Sequence, residues 1–240
     1  MKHWRLDTDN QTLVLSCLDN RVPCLIYWGQ KLPGDESLED LIEASKKDWG
    51  DNLLDKVPDL SILPEQSANF TGQLGCKIRD INGQILSPHF IFQSELVNNN
   101  LLALTYIDKA LGLTYIASIT AYSSNDIFAL SAKIESDNPI NMEWLSTPVI
   151  AASQSSNEMI DYGGQWGGEF RKQLTPWVTG VHMRESRSGT TSHANFPGLI
   201  IPSKACSENL GSCYGFHYGW SGGHRMIAEQ LPDGRRQIQF

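Results

Sequence analysis

Short runs in which apolar and polar residues alternate recur along this chain, with turn residues between them. Residues 11–18 (Gln-Thr-Leu-Val-Leu-Ser-Cys-Leu) read as a strand, Asp19-Asn20-Arg21 as a turn, and residues 22–28 as the return strand. The same pattern predicts strands at 74–80, 89–95, 101–108, 113–123, 127–136 and 142–151. Asn82-Gly83 supplies a tight hairpin turn, Asn98-Asn99-Asn100 a polar one, and the strands at 101–108 and 113–123 form a hairpin closed near Gly112. Strand signals follow one another without helical patterns between them, which argues for antiparallel sheets packed as a sandwich and against an alternating α/β fold.

One stretch has helical spacing. Residues 35–47 place Leu38, Leu41, Ile42 and Ala44 on one face, with Asp35 as the expected cap and Gly50 beyond the end. It sits inside a long polar excursion, residues 34–70, that also carries Pro58 and Pro64. A connection of that length inside a β domain is either functional or disordered. No repeats, low-complexity tracts or linker compositions interrupt the chain. The expectation is therefore an all-β antiparallel sandwich with one short helix in a long loop, built as a single domain over residues 1–240.

Composition narrows the class further. The 240 residues are 40% hydrophobic and 19% charged, and the net charge is −8. That is an ordinary globular balance, and it lacks the basic footprint needed for nucleic acid. The N-terminal residues have no apolar leader pattern, and no apolar run approaches the ~20 residues needed to span a membrane. Cys17, Cys24, Cys76, Cys206 and Cys213 are odd in number and form no Cys-x-x-Cys pair. They read as reduced thiols of a cytoplasmic protein, with Cys206 and Cys213 able to meet as thiols across a hairpin.

Candidate chemistry concentrates in the last third, where Tyr162-Gly-Gly-Gln-Trp-Gly-Gly-Glu-Phe170, Glu185-Ser-Arg-Ser-Gly-Thr-Thr-Ser-His193 and Gly215-Phe-His-Tyr-Gly-Trp-Ser-Gly-Gly223 crowd glycine against large rings. Such density suits closely packed strands and polar clefts. Gly219-Trp-Ser-Gly-Gly223 matches the G-x-S-x-G elbow of serine hydrolases, but only His224 and Asp233 follow Ser221, in the wrong order and spacing. Glu169 and Glu185 are isolated acids better suited to pairing with nearby arginines than to glycoside chemistry, which needs two carboxylates. His182, His193, His217 and His224 have no metal-ligand spacing, so neither a metal nor a cofactor is expected. Trp28, Trp144 and Trp220 lie in strand-like contexts and read as core, whereas Trp166 and Trp177 lie beside glycine or proline, where a ring can be exposed.

These segments resemble, in order, the N-terminal supersandwich domain of glycoside hydrolase family 36 α-galactosidases. Trp4-Arg-Leu-Asp7 is similar to the family's opening strand, Leu25-Ile-Tyr-Trp-Gly29 to its Tyr-Trp-Gly strand end, and Leu60-Ser-Ile-Leu-Pro-Glu65 and Phe70-Thr-Gly72 to the stretch before its next hairpin. Trp166-Gly-Gly-Glu169, Glu185-Ser-Arg to Ser192-His193, Tyr214-Gly-Phe216 and Trp220-Ser-Gly-Gly-His-Arg225 resemble its later motifs. The resemblance implies a retaining enzyme whose two catalytic Asp residues, one after Lys-Trp and one after Ser-Gly-Gly-Gly-Arg, lie in a following (β/α)8 barrel. Ser221-Gly-Gly-His-Arg-Met-Ile227 mimics the second motif but has Ile227 where that Asp stands. The expectation is a non-catalytic N-terminal part of an α-galactosidase, ending before the sandwich's last strands and before the barrel, with that barrel and further copies of itself as partners and α-galactosides as the sugars served. The resemblance also implies that the loop over residues 34–63 reaches a neighbouring subunit's sugar pocket, with Trp49 stacking on the sugar and Asp55 accepting from its hydroxyls. Two alternatives are a stand-alone carbohydrate-binding module using exposed Trp, and a serine hydrolase acting through Ser221.

Overall fold

Antiparallel hairpins account for nearly all regular structure in the computed structural model of the chain, which describes residues 1–46, 57–191 and 193–240. Contacts divide the chain into two compact units, Met1–Val149 and Ile150–Phe240. No change of composition marks the border, because the alternating pattern of residues 142–151 runs through it.

Among its described residues the first unit holds three sheets. β1 (Lys2–Asp7), β2 (Gln11–Cys17) and β3 (Cys24–Gln30) form a meander. β4 (Cys76–Asp80) is flanked by the short β5 (Ile85–Leu86) and by β10 (Ile140–Leu145). β6 (Ile91–Asn98), β7 (Leu101–Asp108), β8 (Leu113–Tyr122) and β9 (Ile127–Ser136) form the third, in sequence order. In β7 and β8 every second residue is buried, as the alternating pattern predicts. Leu102, Leu104, Tyr106, Leu113, Tyr115, Ala117 and Ile119 thereby face Leu13 and Leu15 of β2 and Ile78 of β4 across one core. Tyr106 and Tyr115 are register partners, their ring centroids 6.3 Å apart, and burial pushes both phenols well above their usual range. The predicted Asn-Gly turn is present: Gly83 has φ 83°, and Asp80 Oδ1 accepts the N–H groups of Asn82 and Gln84 at 2.9 and 2.8 Å.

Two boundaries differ from the sequence expectation. The helix, α1 (Leu38–Ser45), starts later than Asp35 and is capped by Ser37, whose hydroxyl accepts the Asp40 N–H at 3.2 Å. The predicted strand 142–151 is broken, since β10 stops at Leu145 and Pro148 then removes a ladder donor. The next strand, β11 (Ile150–Ala151), belongs to the second unit.

The second unit is a pair of four-stranded sheets around its own core. One sheet has the order β11, β18 (Arg236–Gln239), β17 (His224–Gln230) and β14 (Gly180–Ser186). The other has the order β13 (Gly168–Pro176), β12 (Glu158–Gln165), β15 (Gly198–Pro202) and β16 (Cys213–His217). Met226, Ala228 and Ile238 of the first sheet meet Met159, Leu199 and Ile201 of the second, with Trp177 buried among them. Among the described residues every strand pair is antiparallel and there is one α-helix, so the fold is an all-β sandwich, as expected. All five cysteines are free thiols. Among the described residues no helix is long and apolar enough to cross a membrane.

Candidate functional site

The glycine-rich, aromatic segments of the last third meet in the second unit. Trp166-Gly167 forms the two-residue turn between β12 and β13, with Gln165 facing Gly168 and Gly167 at φ 76°. Close approach fixes the neighbouring glycine: a Cβ on Gly164 would lie 2.2 Å from the Gly168 carbonyl oxygen. The hairpin holds the Trp166 indole in solvent, 87% exposed.

Beneath this hairpin, Asp161 joins the two sheets. It is only 1% exposed; its Oδ2 meets His182 Nε2 at 2.7 Å, and its two oxygens accept Arg184 Nε and Nη2 at 3.1 and 3.0 Å. Burial alone would raise this carboxyl, but the hydrogen bonds from His182 and Arg184 outweigh it and hold it below the usual range. Asp161 is on the inner face of β12, so these charges serve the interior rather than the surface.

Past the end of β14 at Ser186, residues 187–191 of the next motif build a loop. Glu185 accepts from both Arg187 and Arg225, which hold its carboxyl below its ordinary value. Ser186 and Ser188 donate their hydroxyls to the Thr190 carbonyl at 2.9 and 3.0 Å, and Gly189 turns the chain at φ 74°. The Thr191 N–H then donates to the Ser221 carbonyl at 2.9 Å and fastens this loop to the Gly219–Gly223 loop. Between these two loops and the outer face of β12 and β16 lies a cleft of about 590 Å³. Tyr162, Phe170, Phe196 and His217 form its floor, and Trp220, Thr191, His193 and Ser221 its rim. Phe196 is central: its centroid is 6.2 Å from Tyr162, 5.4 Å from Phe170 and 5.6 Å from His217.

Several expectations concern these residues. Trp220 is not core; it is 58% exposed on the cleft rim, its Nε1 lying 2.5 Å from where a Gly222 Cβ would stand. Trp28 and Trp144 are half-buried, and Trp177 is buried rather than displayed. Ser221 has no hydrolase geometry: its segment leads into strand β17 instead of a helix, and neither ring nitrogen of buried His224 has a hydrogen-bond partner. Glu169 accepts the Gly167 N–H at 3.0 Å, and no carboxylate lines the cleft among the described residues. No group of three or more His, Cys, Asp or Glu among them could hold a metal ion. Trp49 and Asp55 lie outside the described residues. The residues that sequence reasoning did not assign to a site are Tyr162, Phe170, Phe196 and His217; for the three on strands the available signal was the odd or even position of the ring, which means nothing until the register is known, and Phe196 lies in the connection before β15.

The glycosyl hydrolase family 36 N-terminal domain model matches residues 21–240. The α-galactosidase of Escherichia coli is 28% identical over 241 residues, covering 99% of this chain and 33% of that enzyme. The α-galactosidase AgaA of Geobacillus stearothermophilus is 30% identical over 117 residues, 48% of this chain and 16% of that protein. A crystal structure of an AgaA variant in complex with raffinose has a TM-score of 0.85 at 19% identity, covering 99% of this chain and 37% of that one. The galactosidase domain of the α-galactosidase–sucrose kinase AgaSK has a TM-score of 0.86, also at 19% identity, over 99% of this chain and 37% of that one. The chain thus spans about a third of the length of the relatives that it matches from end to end. With its segments matching in order and its sheets superposing over nearly their whole length, the chain belongs to the glycosyl hydrolase family 36 N-terminal domain family.

Proposed function

We propose that this chain is the non-catalytic N-terminal part of a retaining α-galactosidase that removes terminal α-galactosyl groups from oligosaccharides in the cytoplasm. The observation that carries this reading is the coverage: 99% of this chain aligns with only 33% of the Escherichia coli α-galactosidase. The chemistry of the described residues agrees with it. The cleft of the second unit is lined by rings, hydroxyls and imidazoles, whereas a glycosidase needs two carboxylates about 5–5.5 Å apart for retention. In this reading the reaction belongs to a (β/α)8 barrel that follows the sandwich, and the sandwich supports that barrel and the assembly of subunits. The loop over residues 34–63 lends Trp49 and Asp55 to the sugar pocket of a neighbouring subunit. Free thiols throughout suit a reducing compartment.

The test is turnover of p-nitrophenyl α-galactoside. The purified 240-residue chain is expected to be inactive, and the product of the extended reading frame active. Reproducible turnover by the 240-residue chain itself, retained through repeated purification, overturns the assignment.

A further inference from the structure

The cleft of the second unit has a chemistry that its supporting role in an α-galactosidase does not use. Register explains how it arises. Tyr162 pairs with Lys172 across β12 and β13, and Gly198 pairs with His217 across β15 and β16. Paired residues put their side chains on one face, so Tyr162 and His217 share the outer face, opposite the buried Met159, Asp161, Leu199 and Ile201. Between them Gly198 leaves the sheet bare, and the Phe196 ring covers that gap: a Cβ on Gly198 would lie 2.5 Å from a Phe196 ring carbon. The result is a continuous aromatic floor across the strands, extended by Phe170. Both Phe170 and Trp220 are well exposed, at 65% and 58%.

We propose that this floor is a carbohydrate-binding subsite for a neutral pyranose, distinct from the loop over residues 34–63. A cleft of about 590 Å³ is the size of a small-molecule site, within the ~300–1,000 Å³ range. Its lining among the described residues contains no Lys, Arg, Asp or Glu, and the chain carries a net charge of −8, so neither a phosphate nor a polyanion matches it. A wholly apolar partner does not match it either. Such a partner would seal His193, His217, Thr191 and Ser221 away from water, and burying unpaired hydroxyls and imidazoles is costly. A pyranose satisfies both halves: its C–H face lies on the rings, and its hydroxyl edge reaches the hydroxyl and imidazole groups of the rim. The inference rests on the saccharide part of the function proposed above and not on where hydrolysis occurs.

The experiment is a titration of the 240-residue chain with raffinose, followed by saturation-transfer NMR and tryptophan fluorescence. Saturable binding at about 1 mM is expected, weakened at least about tenfold in both Trp220→Ala and His217→Ala. Both positions are exposed, and unchanged thermal melts establish that these variants are folded. Tyr122→Ala, which alters an exposed ring of the first unit, outside the cleft, is expected to bind as the parent does. Absence of saturable binding overturns the inference, as does binding that Trp220→Ala and His217→Ala leave unchanged. Turnover of p-nitrophenyl α-galactoside is read separately, so failure of the subsite and failure of the family function give different results.

Discussion

Replacing Glu65 by Gln should flatten the pH dependence of stability of the first unit between about pH 4.5 and pH 7. Glu65 is 3% exposed at its side chain; Oε1 accepts the Phe90 N–H at 2.9 Å, and Oε2 accepts Arg21 Nη2 at 3.0 Å. Burial raises its pKa from 4.5 to about 7, and the hydrogen bond from Phe90 and the charge of Arg21 recover only part of that cost. The folded chain therefore holds a proton that the unfolded chain gives up. The stability from this group is fully present below pH 4.5 and declines as pH rises, by about 1.4 kcal/mol per unit in mid-window, until it levels off above about pH 7. Integrated over the window, the loss is about 3 kcal/mol, a large share of the stability of a small domain. In Glu65→Gln the amide oxygen still accepts from Phe90, but no proton is exchanged, so that slope vanishes. Urea unfolding of parent and variant at about pH 5, 6, 7 and 8 measures it, with exchange protection of β7 and β8 amides assigning the transition to this unit. Curves for parent and variant that run parallel in pH would refute the reasoning and mean that Glu65 is ionised across the whole range.

Arg184→Met leaves the buried Asp161 carboxylate with His182 alone; thermal melts should show the second unit destabilised by about 3–5 kcal/mol, and a change below about 1 kcal/mol would count against a desolvated pair. Gly164→Ala drives a methyl group into the Gly168 carbonyl and should cost about 1–3 kcal/mol or more. Gly215→Ala, with nothing within 4 Å of its added carbon, should be close to neutral in the same melts, and equal costs at the two positions would remove the steric argument.

Local alternation made much of the first unit legible. The predicted strands at 101–108 and 127–136 coincide with β7 and β9, because each neighbouring hairpin is closed by residues close in sequence. The Asp80–Gly83 turn was readable for the same reason. Errors arose where two local signals competed: Asp35 and Ser37 can both cap a helix, and only the geometry of the Asp40 N–H selects Ser37. The strand break near Pro148 was visible as a residue type but was overridden by the apolar run around it. The cleft was unreadable, since Tyr162, Phe196 and His217 come together only through the pairing of β12, β15 and β16. Trp220 was assigned to the core because alternation carries no meaning in a glycine-rich loop. The two residues proposed to contact sugar, Trp49 and Asp55, fall outside the described residues.

The strand orders of the two units carry a consequence for how the chain reaches its native state as it is made. In β1 to β3 and in β6 to β9, each strand bonds to the one synthesised just before it, so these layers can close while translation is still under way. In the second unit β11 lies beside β18, so its partner is the strand of that unit farthest along the chain, at Arg236–Gln239. The meanders of the first unit can thus close early on the ribosome, while the second unit stays open, with Met226 and Leu199 uncovered, until Arg236–Gln239 have left the exit tunnel.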